Sequence, residues 1–295
     1  MHGALHGARL GPPSDGYEHA AFGGASCEAE GLSCPASPSE SSVSQSSLSR
    51  RLSRVAPARW QLSLCAPAGE GGGCLVTART SEFRGVRGAA EDPERARAEA
   101  ARRARTRVRR YCAANGLSRF GTLTYGPPFC TDPDQLRADM ARFFRRLRTA
   151  QGQGPLPYLW VPEFHADGER FHAHYAMDRF VPRQRIAEAW GHGHVFIKLL
   201  SDMRVGAATW EESRRAAAYV SKYVSKTFTG PQVFGRQRYG VAEGFQPTVQ
   251  RLTGKSRADV LQRAAEIIGR PPSKRWYSED EEDWKGPPAV WFAWE

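Results

Sequence analysis

The sequence lacks several features that would place it in a common class of protein. Its six cysteines form no Cys-x-x-Cys pair, which argues against a zinc ribbon, and their irregular spacing does not suggest a disulfide framework. No stretch is apolar enough to span a bilayer, and the amino terminus has no basic segment followed by an apolar run. We therefore expect reduced thiols, no signal peptide, no membrane association and a cytoplasmic location.

A complete nucleotide-binding loop is also missing. Gly254-Lys255-Ser256 is similar to the end of a phosphate loop, but the position five residues before Gly254 is Val249 rather than glycine. Ser256 fits better as the cap of a helix that extends to Ile268. We therefore predict no nucleotide-binding domain of this type.

Positive charge is what the sequence has in excess. Lysine and arginine number 42 against 31 acidic residues, which gives a formal net charge of +11 at pH 7. An excess of this size favours a polyanionic partner such as nucleic acid, although an arginine-rich composition alone explains it equally well. Eight tryptophans and fourteen phenylalanines argue against a wholly disordered chain.

Composition and hydrophobic pattern divide the chain into three parts. Residues 1–58 are rich in Gly, Pro, Ser and Ala and are predicted to form a disordered tail. Residues 59–228 alternate strand and helix patterns and form the main domain, and residues 229–295 form an extension with one helix and an acidic tail. Hairpins mixed with helices predict an α+β fold, with a central and largely antiparallel sheet of about five strands flanked by helices.

Local signals place the elements of this fold. Period-two alternation predicts strands at 60–65, 74–79, 120–125, 158–164, 171–177 and 194–200, with a glycine-rich turn at 69–73. Caps and apolar spacing predict helices at 93–114, 133–150, 182–190 and 210–226. The helix at 93–114 is dense in arginine; it could lie against DNA, but a solvated face is at least as good an interpretation.

Two histidines share one face of the strand at 171–177. Side chains alternate across a sheet, so His172 and His174 point to the same side, where two imidazoles can bind one divalent ion. Glu163 lies near the end of the preceding strand, and an Asp-Gly turn folds its carboxylate back beside the histidines. Glu163 could complete a two-His, one-carboxylate site or be a solvent-facing edge residue, and His165 is an alternative ligand.

A second His-x-His pair occurs in Gly191-His192-Gly193-His194. Its middle residue is glycine, which weakens a strand, and the pair opens a strand instead of filling one. We interpret it as a turn and not as the main metal site.

Two Tyr-x-x-Lys units follow one another on a predicted helix. Their side chains obey helical spacing and share one stripe: Tyr219, Lys222, Tyr223 and Lys226. Two phenols beside two ammonium groups make a poor core but a good active site, because a nearby lysine favours the phenolate that attacks phosphate. The alternative is a basic surface helix that only touches the DNA backbone.

In combination these motifs resemble those of the HUH endonucleases, specifically the rolling-circle replication initiators of the two-tyrosine type found in plasmids and single-stranded DNA phages. The three family motifs are similar, in order, to Phe120–Tyr125, Phe171–Tyr175 and Tyr219–Lys226. The resemblance covers roughly residues 120–226 and implies an HUH/RRM-like sheet. The tyrosines follow the histidines here, whereas in conjugative relaxases they precede them.

The resemblance implies a mechanism and partners. Mg²⁺ or Mn²⁺ would be held by His172, His174 and Glu163, while Tyr219 and Tyr223, assisted by Lys222 and Lys226, would cut single-stranded origin DNA. The products would be a 5′-phosphotyrosine and a free 3′-hydroxyl, and the second tyrosine would allow the strand to be rejoined. A host helicase and a polymerase would be partners.

Two other functions remain open at this point. A two-tyrosine HUH transposase shares the chemistry, but such enzymes usually carry a cysteine-rich zinc module that this chain lacks. A non-catalytic DNA-binding protein on the same fold is the alternative from a different class.

Overall fold

The computed structural model describes residues 58–77, 92–151, 154–198, 217–220, 223, 238–284 and 286–294. Nearly all of the predicted tail at 1–58 and both predicted catalytic lysines, Lys222 and Lys226, lie outside these residues. Ten strands are assigned: β1 Arg59–Cys65, β2 Glu70–Val76, β3 Arg119–Tyr125, β4 Tyr158–Phe164, β5 Phe171–Met177, β6 Gly193–Lys198, β7 Gly240–Val241, β8 Gln250–Gly254, β9 Lys274–Tyr277 and β10 Ala289–Ala293. The helices are α1 Pro93–Ala114, α2 Pro133–Gln151, α3 Arg183–Trp190 and α4 Arg257–Ile268.

The strands form two antiparallel sheets of five strands each. The central sheet has the order β6-β3-β5-β4-β7, and the outer sheet has the order β8-β1-β2-β10-β9. The expected α+β fold, with a five-stranded antiparallel sheet flanked by helices, is confirmed. The second sheet was not predicted: the hairpin β1–β2, which the sequence groups with residues up to 228, pairs instead with strands from the carboxy-terminal part of the chain.

A tight turn sets the register of the hairpin β4–β5. Asp167 accepts hydrogen bonds from the backbone N–H groups of Glu169 and Arg170, and Gly168 adopts a φ of 75° that disfavours residues with a side chain. The resulting register pairs Glu163 with His172. The strand bounds predicted for β4 and β5 agree with the structure.

Helices cover both faces of the central sheet. Helices α2 and α3 pack on one face over an apolar cluster that includes Phe143, Tyr175 and Trp190. The opposite face is covered by α1 and by the helical residues 217–220 and 223, called the tyrosine helix below. Because side chains alternate along β5, the face under the tyrosine helix is also the face that carries both histidines.

A buried ion pair joins α1 to the outer sheet. Helix α1 begins as predicted, with Asp92 capping the backbone N–H of Arg95. Farther along, Arg109 and Arg110 donate hydrogen bonds to the carboxylate of Glu70, at Nε–O distances of 2.7 and 2.8 Å. Glu70 is fully buried, so these two guanidinium groups compensate a charge that would otherwise be costly inside the protein.

The outer sheet differs from the sequence predictions in two places. The glycine-rich segment predicted as a turn is largely the strand β2, and the turn before it is a short 3₁₀ helix at Ala66–Ala68. Glycine is needed in this strand because a Cβ atom at Gly73 would lie 1.9 Å from the carbonyl oxygen of Gln61. The acidic residues 279–283, predicted to form a tail, lie between β9 and β10.

Two other predictions agree with the structure. Ser256 caps α4 by accepting a hydrogen bond from the backbone N–H of Asp259, and Gly269 ends that helix in a left-handed conformation. Four cysteines, Cys65, Cys74, Cys112 and Cys130, are free and buried. Among the described residues, no helix combines the length and apolar character needed to cross a membrane.

Candidate metal and tyrosine site

Three side chains from β4 and β5 converge on one point. Oε2 of Glu163 lies 2.6 Å from Nε2 of His174 and 3.2 Å from Nε2 of His172, and the two Nε2 atoms are 3.2 Å apart. Within the described part of the chain this is the one group of three potential ligands close enough to share an ion. We call these three residues the ligand cluster.

The spacing of the ligand cluster suits a cation. Ligands on one face of an octahedron, each about 2.1 Å from the ion, lie about 3 Å from one another. Two lone pairs and a carboxylate oxygen repel one another at this separation unless a proton or a cation lies between them. The side-chain hydrogen-bond contacts of His172 are with cluster members alone, because its Nδ1 atom is buried and has no partner in the described residues.

Strand β3 contributes a supporting residue that the sequence analysis did not identify. Thr122 pairs with His174 across the sheet, and its Oγ1 atom lies 3.0 Å from Nδ1 of that histidine. A hydrogen bond to the second ring nitrogen fixes the orientation of an imidazole that binds through Nε2. Thr122 belongs to the motif Phe120–Tyr125, and strand alternation could have placed it on the histidine face.

The tyrosine helix brings both phenols next to the ligand cluster. The ring of Tyr223 stacks on the ring of His174, with centroids 3.8 Å apart and an interplanar angle of 28°. The Oη atoms of Tyr219 and Tyr223 are 2.6 Å apart, so one phenol donates a hydrogen bond to the other. Tyr219 packs against the edge of Phe120 at the side of the helix away from His174.

The two phenols therefore occupy different environments. Burial raises the pKa of Tyr223 well above its ordinary value, and the hydrogen bond to Tyr219 and the negative charge of Glu163 raise this pKa further. A phenol in these surroundings needs positive charge nearby before it can react as phenolate. The predicted sources of that charge are the ligand cluster and the two lysines, Lys222 and Lys226, that lie outside the described residues.

The remaining histidines lie apart from the cluster. The ring of His165 contacts that of His172 at 4.6 Å, but His165 is not one of the three converging ligands. His192 lies on the opposite face of the central sheet, where its Nε2 atom is 3.4 Å from Asp139. His194 is exposed and pairs with Thr124 across β3.

The glycine between His192 and His194 has a structural explanation. A Cβ atom at Gly193 would lie 2.3 Å from the backbone nitrogen of Gly126 and 2.4 Å from the carbonyl oxygen of Thr124. Its φ of 149° is also one that residues with a side chain rarely adopt. This glycine allows β6 to start close to β3, which accounts for the second His-x-His pattern without a metal.

Comparison with known families gives one match, over the segment that carries the site. Residues 118–228 match a family of replication-associated proteins, described as the ORF2 type. The comparisons with curated proteins and with solved structures gave no match. The matched segment contains the ligand cluster and both tyrosines, and its similarity to replication-associated proteins supports a role for this chain in the initiation of DNA replication.

Proposed function

We propose that this protein is a replication initiator of the two-tyrosine HUH type, which nicks single-stranded origin DNA and later rejoins the strand. The observation that carries the proposal is the stacking of Tyr223 on His174, with ring centroids 3.8 Å apart. This contact puts a candidate nucleophile beside a candidate cation site. The family similarity over residues 118–228 supports replication as the process that the chemistry serves.

His172, His174 and Glu163 would hold the cation. One carboxylate oxygen and two imidazole nitrogens form a mixed donor set, which suits Mn²⁺ better than Mg²⁺ because Mg²⁺ strongly prefers oxygen. When bound, the cation would polarise the scissile phosphate and neutralise part of its charge. Thr122 would hold the ring of His174 in position for this role.

The tyrosine supplies the covalent chemistry. Its Oη atom forms a bond to the phosphorus of the scissile phosphodiester, and the bond from phosphorus to the 3′ oxygen breaks. The phenol loses its proton and the 3′ oxygen gains one, so the products are a 5′-phosphotyrosine and a free 3′-hydroxyl. Attack of a 3′-hydroxyl on the phosphotyrosine reverses these changes and rejoins the strand without a nucleotide cofactor.

The different positions of the phenols suggest different roles. Tyr223 contacts a cluster residue and is our candidate for the first attack, whereas Tyr219 is one helical turn away and is linked to Tyr223 by the 2.6 Å hydrogen bond. Tyr219 would then cut the regenerated junction after replication. Lys222 and Lys226 remain predicted helpers that favour the phenolate.

Adduct formation with single-stranded DNA tests the proposal. We expect the protein, incubated with origin-derived oligonucleotides and Mn²⁺, to form a covalent adduct that chelator abolishes. Tyr223→Phe should reduce the rate of adduct formation by about a thousandfold or more, as removal of a nucleophile does in other enzymes. Tyr219→Phe should retain the first adduct but lose the second cleavage.

Tyr277→Phe, in the outer sheet, is the matched control and should behave like the unchanged protein. An undiminished adduct in the Tyr219→Phe, Tyr223→Phe double variant would refute the tyrosine mechanism. Stable DNA binding without an adduct on any origin-derived strand would favour a non-catalytic DNA-binding protein.

A further inference from the structure

A groove lies between α1 and the segment 238–246, next to the edge strand β7. Its volume is about 720 Å³, within the range of pockets that hold a ligand of nucleotide size. Its charged residues are three arginines and one glutamate: Arg103, Arg107, Arg238 and Glu243. We propose that this groove, called the arginine groove, binds the sugar–phosphate backbone of single-stranded DNA leading to the tyrosines.

The arginines present a net positive surface on both walls of the groove. Arg103 and Arg107 are exposed and lie one helical turn apart on α1, about 6 Å along its axis. The carboxylate paired with Arg103 is that of Glu99, at 3.7 Å on an exposed surface where such a pair contributes little. Arg238 faces them from the other wall, and Glu243 offsets only part of the positive charge.

Crowding of like charge supports this assignment. Burial lowers the pKa of Arg238, and the positive charge of Arg97 on α1 lowers this pKa further. A phosphate placed between the walls would relieve that repulsion. Phosphate contacts of this kind hold a nucleic acid in position without reading its sequence.

Helix α1 thus carries two kinds of arginine. Arg109 and Arg110 are buried against Glu70 and serve the structure, with side-chain exposures of 18% and 13%. Arg103 and Arg107, which come earlier in the helix, line the groove instead. Their positions in the helix therefore separate a structural role from a binding role.

The arginine groove reaches toward the tyrosines along β4. Strand β7 pairs antiparallel with β4, with Gly240 opposite Trp160, so the residues before Gly240 lead in the direction of Glu163. Three residues of strand cover about 10 Å, a distance that a few nucleotides span. Tyr239 lines the groove and packs in the same apolar cluster as Tyr219 and Tyr223, so the groove and the candidate active site share a wall.

A single strand fits these walls better than a duplex does. Tyr239 is half-buried at the side of the groove and offers an aromatic surface on which a base can stack. Arginines that track a backbone together with an aromatic ring are the usual means of binding single strands without sequence preference. The assignment of this strand as the substrate rests on the proposed function.

Salt dependence of binding tests the arginine groove separately from the chemistry. A fluorescein-labelled oligothymidylate is titrated with the full chain in chelator, so that cleavage does not contribute, and the association constant is measured over a range of salt concentrations. We expect Arg103→Gln with Arg107→Gln to make the log–log salt slope shallower by about 1.4, or about 0.7 for each phosphate that is no longer neutralised. Glutamine is as good a helix former as arginine, so α1 should be retained.

The control pair, Arg251→Gln with Arg275→Gln, removes the same charge from exposed positions of the outer sheet and should leave the slope unchanged. An unchanged slope in the α1 pair would overturn the proposal, even if the protein forms a tyrosine adduct. An equal reduction of the slope on a duplex of the same length would overturn the assignment to single strands. A shallower slope with no adduct on any oligonucleotide would support the groove while the proposed nicking activity fails.

Discussion

The two sheets of this protein have the same number of strands and the same antiparallel pairing, but they differ in what their covered faces carry. Under the tyrosine helix, the central sheet presents His172, His174 and Glu163, with Thr122 beside them. The outer sheet instead contributes apolar side chains, among them Leu62 and Phe292, to a cluster beneath α4. In the part of the chain that the structure describes, no group of potential metal ligands lies in the outer sheet.

The difference shows how little an antiparallel sheet alone says about activity. Both sheets place every second residue on a face covered by a helix, so the geometry available to a site is similar in each. In the central sheet those positions hold half-buried polar groups, which reduce stability unless they are paired. In the outer sheet a fully buried residue such as Phe292 contributes roughly 1.5–3 kcal/mol of stability. Variants in the two sheets should therefore fail in different ways.

The largest expected effect is on activity, at the ligand cluster. We expect His172→Ala to reduce DNA cleavage by about a thousandfold or more, since it removes a ligand and the charge it holds near the phosphate. The free energy of unfolding should change little, because the removed imidazole has a buried nitrogen without a partner among the described residues. Adduct assays with Mn²⁺ and urea unfolding measure the two quantities.

His192→Ala is the matched control for this comparison. It removes a histidine from the opposite face of the same sheet and should leave cleavage intact. If cleavage were abolished in His192→Ala and retained in His172→Ala, the assignment of the ligand cluster would be wrong.

The next effect is on stability, where α1 meets the outer sheet. Glu70→Gln leaves Arg109 and Arg110 without their buried counter-charge and should lower the free energy of unfolding at pH 7 by about 3–5 kcal/mol. Burial tends to raise the pKa of Glu70, but the charges and hydrogen bonds of the two arginines outweigh it and lower this pKa below its ordinary value of 4.5.

The pH dependence of this effect follows from the direction of that shift. Since the folded-state pKa is lowered, the stabilisation by Glu70 is complete above about pH 4.5 and is lost as the pH falls through the folded-state value. The difference in unfolding free energy between the unchanged protein and Glu70→Gln should therefore shrink at acidic pH. A difference that stays constant from about pH 7 to below about pH 4 would contradict the assigned ion pair.

The smallest expected effect separates positioning from ligation within the central sheet. Thr122→Val keeps the shape of the side chain but removes the hydrogen bond to Nδ1 of His174. We expect the apparent affinity for Mn²⁺ to fall about 10- to 100-fold, with the maximal rate at saturating Mn²⁺ largely restored. Thr122→Ser should recover the affinity, and a purely structural role for Thr122 would show as equal reductions in both variants.

The local parts of this structure could be predicted from the sequence because short-range rules determine them. The Asp-Gly turn fixes the register of β4 and β5, and the period of two then places His172, His174 and Glu163 together. Capping by Asp92 and Ser256 marks the starts of α1 and α4 in the same way. Each of these signals involves residues only a few positions apart.

The outer sheet and the role of Thr122 depend on contacts between distant segments. Strand β2 pairs with β10 about two hundred residues later, and its glycines resemble a turn when the neighbouring strand is unknown. Thr122 can be assigned only after the register of β3 against β5 is known. The arginines of α1 likewise look alike in the sequence, and the fold alone separates Arg109 and Arg110 from Arg103 and Arg107.

The position of β10 inside the outer sheet has a consequence for how the chain matures on the ribosome. Residues 289–293 insert between β2 and β9, so β2 lacks one of its two neighbours until almost the whole chain has been synthesised. The strands of the central sheet all emerge earlier, from residue 119 to residue 241. Because chains fold progressively from the amino terminus during translation, the segment that bears the tyrosines can assemble while β2 still lacks its last partner.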